Sequence, residues 1–269
     1  MSLACREAEP LGVYLSVVAV TVGVIEADGL TKRYGDQAAV RGLDLSVDAG
    51  TIYGFLGPNG AGKTTTMRML TGLTRPTAGS ATVAGVDVSE RDRLGERIGY
   101  APDTPPLYEK LTAREQLRAM ADVRGLEPAA TSERIPELLD RFGLDAADDR
   151  IEGYSKGMKQ KTSVVQAIVH DPAVVFLDEP TGGLDPNAAR TMKTVLAELR
   201  DRGTTVFLST HILPVVDELA DTVGLLYEGE LLAEDDPEAL TARLEGDSLE
   251  DAFVELTTEG ETADAVSRL

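Results

Sequence analysis

The sequence predicts an α/β fold in which a mainly parallel sheet is joined to an antiparallel β subdomain and carries an inserted α-helical subdomain. Three observations lead there. The stretch TIYGFLGPNGAGKTTTMRMLTGL, residues 51–73, reads as a β-branched and aromatic strand, a glycine-rich turn and a helix. AVVFLDEP, residues 173–180, has the short apolar run of a strand buried on both faces. Between these two lies a long stretch with helical periodicity, after which strands and helices alternate.

The elements follow in order. VIEADGL and AVRGLDLSV alternate apolar and polar residues and are expected as antiparallel strands. The helix after the glycine-rich turn points Met67, Met69 and Leu70 toward a core. ATVAGVDV and RIGYA are expected as short strands, after which Pro102, Pro105 and Pro106 mark a loop. From Thr112 the pattern turns helical, opened by Thr112 and Glu115 at capping-box spacing and closed at Gly143. A second helix is expected from about Ser155 to His170, with His170 as a capping residue at its end. The strand AVVFLDEP follows, then an amphipathic helix (AARTMKTVLAELRDRG), a strand (TTVFLSTH), a helix (ILPVVDELADTV) and a hairpin turning at Glu228 and Gly229. The expected organisation is a leader at 1–23, one domain at 24–230 with a helical insertion at about 103–158, and an acidic C-terminal extension at 231–269.

The leader contains Leu11–Ile25, a run without charge. It is shorter than the roughly 20 apolar residues of a spanning helix, and Arg6, followed at once by Glu7 and Glu9, is not the basic start of a secretory signal. Two readings stay open: a strand with a loose leader, or a chain whose translation begins at Val24.

Lys and Arg number 26 against 46 Asp and Glu, a formal charge of -20, so long-range forces repel DNA and RNA and no nucleic-acid partner is expected. Only seven of the basic residues are lysine. A surface of Asp, Glu and Arg suits concentrated intracellular salt, where a Debye length of roughly 3 Å at 1 M makes self-repulsion tolerable. Such a halophilic chain is expected to need salt for folding. Cys5 is the sole cysteine, so no intramolecular disulfide forms and a reducing cytoplasm is the expected compartment.

The chemistry concentrates in two places. Residues Gly57, Pro58, Asn59, Gly60, Ala61, Gly62, Lys63 and Thr64 have P-loop spacing, with Thr65 next, between a strand and a helix. Glycines let backbone N–H groups converge on phosphate oxygens, Lys63 reaches the β and γ phosphates, and Thr64 offers a hydroxyl to Mg²⁺. At the end of AVVFLDEP come Asp178, suited to the metal, and Glu179, suited to activate water as a general base. The P-loop NTPase core is therefore the expected α/β architecture.

With these residues in place, the chain resembles the ATP-binding subunits of ABC transporters across nearly everything from Ile25 onward. GYSKGMKQ resembles the family's signature segment, TGGLDP its D-loop and STH its switch histidine. The resemblance implies roles for Ser155 and Gly157, which would contact the γ-phosphate of ATP held by a second copy, for Asp185, and for His211 as a γ-phosphate sensor. It implies that Tyr34, upstream in TKRYGD, stacks on adenine; local packing in a hairpin is the other reading. Asp103 stands where the family has a glutamine that touches Mg²⁺ and water. As a charged oxygen ligand it could tighten Mg²⁺ binding, or it could be only a loop residue beside prolines.

The forms YSKGMKQ, TGGLDP and SLEDAFVELT resemble most closely the exporters of drugs, antibiotics or ions that use separate membrane subunits. The implied partners are a transmembrane permease and a second ATP-binding subunit, and the implied place is the cytoplasmic face of the membrane. The alternative is a soluble ABC-type ATPase clamp working on nucleic acid or ribosomes; the stretch from Lys63 to Ser155 lacks the sustained heptads of clamp arms. One oddity is left. Lys156, Lys159 and Lys161 crowd into EGYSKGMKQK, where they raise the local potential toward a partner's triphosphate or offset repulsion between two acidic subunits.

Overall fold

The computed structural model describes residues 23–243. The leader with both of its readings, and the C-terminal extension beyond 243, lie outside the described residues.

Strands β1 (Ile25–Tyr34), β2 (Gln37–Val47), β4 (Ala78–Val83) and β5 (Val86–Asp87) form an antiparallel sheet in the order β2-β1-β4-β5. A six-stranded sheet is built from β3 (Ile52–Leu56), β6 (Ile98–Ala101), β7 (Val174–Asp178), β8 (Thr205–Thr210), β9 (Thr222–Tyr227) and β10 (Glu230–Asp235). Its order is β10-β9-β3-β8-β7-β6, and every pair is parallel except β10 with β9. The mainly parallel sheet and the antiparallel subdomain are thus as the sequence predicts.

The alternation of side chains along a strand makes two cores from one sheet. On β3, Ile52 and Leu56 face the cluster shared with the helices, while Tyr53 and Phe55 face the cluster beneath the antiparallel sheet. Strands β7 and β8 divide in the same way, and Phe176 and Phe207 join the second cluster with ring centroids 5.4 Å apart. All residues of β3, β7 and β8 are buried, so these three central strands give the site a rigid floor.

The helices are α1 (Lys63–Leu70), α2 (Arg91–Arg97), α3 (Ala113–Val123), α4 (Pro128–Arg141), α5 (Lys156–Ile168), α6 (Pro186–Asp201), α7 (Leu213–Leu219) and α8 (Pro237–Arg243). Thr112 and Glu115 form the capping box that opens α3, as their spacing predicts. Two expectations need correction. α2 falls in a stretch read as strands; it is short and buries only Leu94, so it has no apolar periodicity to show. α5 falls within the helix expected from about Ser155 to His170 and packs on β6. His170 does not cap α5, whose C-cap is Val169; its Nε2 instead lies 2.9 Å from the carbonyl of Ile98 at the start of β6.

The sheet also continues past residue 230. Glu234 on β10 pairs with Gly224 on β9, and a Cβ at Gly224 would lie 2.2 Å from the Tyr53 hydroxyl. The missing side chain makes room for the fully buried phenol of Tyr53; burial, then the charge of Glu234, pushes the phenol well above its usual pKa.

Candidate functional site

The turn between β3 and α1 is shaped by close backbone approach. A Cβ on Gly57 would sit 2.3 Å from the Leu226 carbonyl oxygen, and one on Gly62 would sit 2.5 Å from that of Ala39. Gly62 also has φ 112°, a conformation side chains resist. These glycines allow the loop to nest between β2 and β9. Gly62 is the N-cap of α1, no side chain caps that helix, and its first turn holds no acidic residue. The free N–H groups are therefore left for an anion.

Lys63 begins α1 and is 7% exposed. Its ammonium donates to the carbonyls of Gly57 at 2.6 Å and Pro58 at 3.1 Å. Burial lowers its pKa, while the charges of Glu179 and Asp178 pull it back up. Opposite stands the end of β7. Asp178, 3% exposed, accepts from Thr64 Oγ1 at 2.9 Å and from the Ser209 hydroxyl.

Glu179 leaves the strand with φ 51°, a strained value for a residue with a Cβ. Its N–H donates to the Ser209 carbonyl at 2.9 Å, which extends the β7/β8 pairing by one bond. Its carboxylate is held on both sides, by Thr210 Oγ1 at 3.0 Å and His211 Nδ1 at 2.8 Å. The end of β8 thus orients both carboxylates. Ser209 and Thr210 were not anticipated as site residues; their position immediately before His211 was the available signal.

A cavity of about 250 Å³ opens here, lined by Ala39, Pro58, Asn59, Gly60, Gly62, Lys63, Thr64, Thr65, Asp103, Asp178 and Glu179. The loop and both carboxylates predicted from the sequence come together in it, and Asp103 joins them from the loop after β6. Tyr34 does not line it: the ring ends β1, 52% exposed, with Lys32 Nζ 5.2 Å from its centroid. Ser155, Gly157 and Asp185 lie outside as well. Ser155 is the exposed N-cap of α5, its Oγ accepting from the Met158 N–H at 3.2 Å. Asp185 caps α6 through the N–H groups of Asn187 and Ala188. Those bonds, that of Ala188 foremost, hold its carboxyl below the usual range.

The donor set suits Mg²⁺. Among the described residues no three His, Cys, Asp or Glu side chains gather into a metal cage. Mg²⁺ in phosphate sites takes one or two carboxylates, with phosphates and waters completing its shell. Thr64, Asp178 and Asp103 offer hard oxygens in the lining of the cavity. Chemically, the arrangement can neutralise a polyphosphate with Lys63 and free helix N–H groups while an oriented carboxylate faces the same space.

The family model described as ABC transporter matches residues 40–182. The chain is 45% identical over 212 residues to the daunorubicin/doxorubicin resistance ATP-binding protein DrrA of Streptomyces peucetius, which covers 78% of this chain and 64% of that protein. It is 41% identical over 214 residues to the bacitracin transport ATP-binding protein BcrA of Bacillus licheniformis, covering 78% of this chain and 69% of the relative. The first of these alignments therefore spans less than two thirds of the relative's own length. A solved structure described as the ATP-binding subunit of an ABC transporter superposes with a TM-score of 0.81 at 33% identity, over 87% of this chain and 99% of that one.

Proposed function

This chain belongs to the ABC transporter family, and from that premise we propose that it is the ATP-binding and ATP-hydrolysing subunit that powers an exporter. Two copies would close face to face on two ATP molecules, and opening after hydrolysis would drive a separate membrane permease. One observation carries the reading: Lys63, Thr64, Asp178 and Glu179 line a single cavity, and Thr210 and His211 hold Glu179 from the neighbouring strand.

In this reading the P-loop N–H groups and Lys63 bind the phosphates, and Tyr34 stacks on adenine with the ring face it leaves exposed. Thr64 and Asp178 would hold Mg²⁺, with Asp103 beside them. The bound ion would supply charge neutralisation across the phosphate oxygens. Glu179, fixed by its two partners, takes the proton of the attacking water, and His211 senses the γ-phosphate. Ser155 and Gly157 serve the nucleotide held by the other copy, which fits the exposure of Ser155 and the place of both outside their own chain's cavity.

No helix of the described residues is long and apolar enough to cross a membrane. The permease would anchor the subunit at the cytoplasmic face, docking near the proline loop and the helices α3 and α4. The names of the relatives support drugs or antibiotics as the cargo class, bound by the permease.

The test is Glu179→Gln. Hydrolysis should fall by roughly 10²–10⁴, the usual worth of general-base help, while ATP binding is retained. Turnover within about twofold of the unmodified chain would remove Glu179 from that role.

A further inference from the structure

The three lysines of EGYSKGMKQK have three different settings. Lys159 Nζ lies 3.1 Å from Glu109 Oε1, tying α5 to the loop before α3. Lys161 lies close enough to Asp185 for its charge to act on that carboxyl. Lys156 has no carboxylate within ion-pair distance among the described residues.

The Lys156 side chain instead lies across a glycine. A Cβ at Gly183 would stand 2.9 Å from its Nζ, 3.4 Å from Cδ and 3.5 Å from Cε. Gly183 has φ 70°, so the chain bends sharply under the lysine stem. One residue along α5, a Cβ at Gly157 would lie 3.5 Å from Leu184 Cδ2 and 3.8 Å from the Ala188 Cβ. The start of α5 is therefore laid on the loop that follows Glu179. That loop is in turn tied to the backbone that carries the carboxylate: the Gly182 N–H donates to the Glu179 main-chain carbonyl at 3.0 Å. Contacts run without a gap from Glu179 through Gly182, Gly183 and Lys156 to Ser155.

We infer that Lys156 is a positioning residue whose aliphatic stem clasps Gly183, so that Ser155 and Glu179 of one protomer shift together. This rests on the reading that Ser155 faces the nucleotide of a second copy. Given that, the clasp links the two ATP sites of the pair: the carboxylate of one site moves with the serine of the other. Cδ and Cε cover the glycine along with the ammonium, and long methylene stems commonly pack on the surface beneath them in this way.

The full-length chain, with Lys156→Ala and Lys156→Met, provides the test. ATP hydrolysis is measured against ATP concentration, and ATP-driven dimerisation is followed by light scattering in the Glu179→Gln background. Lys156→Ala is expected to lower kcat about tenfold, as small misplacements of a reacting group do, and to bring the Hill coefficient toward one. Binding of a fluorescent ATP analogue by the monomer should stay unchanged. Lys156→Met keeps an unbranched stem without the charge and should restore most of the cooperativity. Wild-type behaviour of Lys156→Ala would overturn the inference, as would non-cooperative hydrolysis by the unmodified chain. Equal damage from Met and Ala would overturn it too, by assigning the effect to the charge. An unmodified chain that neither hydrolyses ATP nor dimerises would overturn the parent reading, and the clasp with it, before any variant is compared.

Discussion

His211 Nδ1 lies 2.8 Å from Glu179 Oε1, so the imidazole holds one oxygen of a carboxylate whose other oxygen is held by Thr210 at 3.0 Å. Both partners come from the strand beside the one that carries Glu179, and Glu179 sits at a strained φ of 51°. Both carboxylate oxygens are thereby fixed from a neighbouring strand end. Removing the imidazole should leave a bound but poorly aimed base. His211→Ala is expected to lower kcat by about 10² with little change in KM. Steady-state kinetics check this, and an unaltered kcat would show that Thr210 alone suffices.

Asp103 lines the same cavity as Thr64 and Asp178. If it contributes to Mg²⁺ binding, Asp103→Gln should preserve hydrolysis at saturating Mg²⁺ and raise the half-saturating concentration. The expected shift is about fivefold, or about 1 kcal/mol, the upper worth of an exposed charge pair. An identical Mg²⁺ titration would return Asp103 to the status of a loop residue.

Gly62→Ala would place a Cβ 2.5 Å from the Ala39 carbonyl oxygen at a φ of 112°. Strain of that kind costs about 1–3 kcal/mol. The loop can escape only by moving away from β2, which would also spoil its phosphate contacts. Thermal denaturation should show the loss of stability and nucleotide titration the loss of affinity. A variant that melts and binds like the parent would mean the loop is not pinned there.

His170 gives a prediction about acid. Burial, then the charge of Arg124, pushes its pKa down from 6.5 to about 4, although its bond to the Ile98 carbonyl works the other way. The unfolded chain takes up a proton near pH 6.5 that the folded chain refuses until about pH 4. The stability associated with neutral His170 is thus whole above about 6.5 and drains away between there and 4. His170→Gln, which keeps a donor for Ile98 and cannot charge, should lose less stability between pH 7 and 5 than the parent. Chemical denaturation at both values would reveal it, and equal losses would place the sensitivity elsewhere.

What could be read from the sequence was local. The P-loop and the Asp178-Glu179 pair declare themselves because strand, turn, helix and chemistry fall within a few consecutive residues. The partners of those carboxylates were invisible for the opposite reason. Ser209 and Thr210 each lie 31 residues from the group they orient, and only the parallel register of β7 and β8 brings them together. His170 was misread likewise, since its partner Ile98 is 72 positions away. α2 had too few buried residues to print a period. The crowded lysines looked like an electrostatic device; in the fold, two of the three find acidic neighbours and the third covers a glycine.

The empty position at Gly224 bears on where this chain can be cut. Because the Tyr53 hydroxyl fills the space of a missing side chain and Leu231 of β10 packs against the same place, the strand β10 closes the core from outside like a shutter. A shortened version ending at residue 230 would uncover the phenol at the heart of β3, the strand that leads into the P-loop. Anyone trimming the protein for crystals or fusions should therefore keep β10 through Asp235.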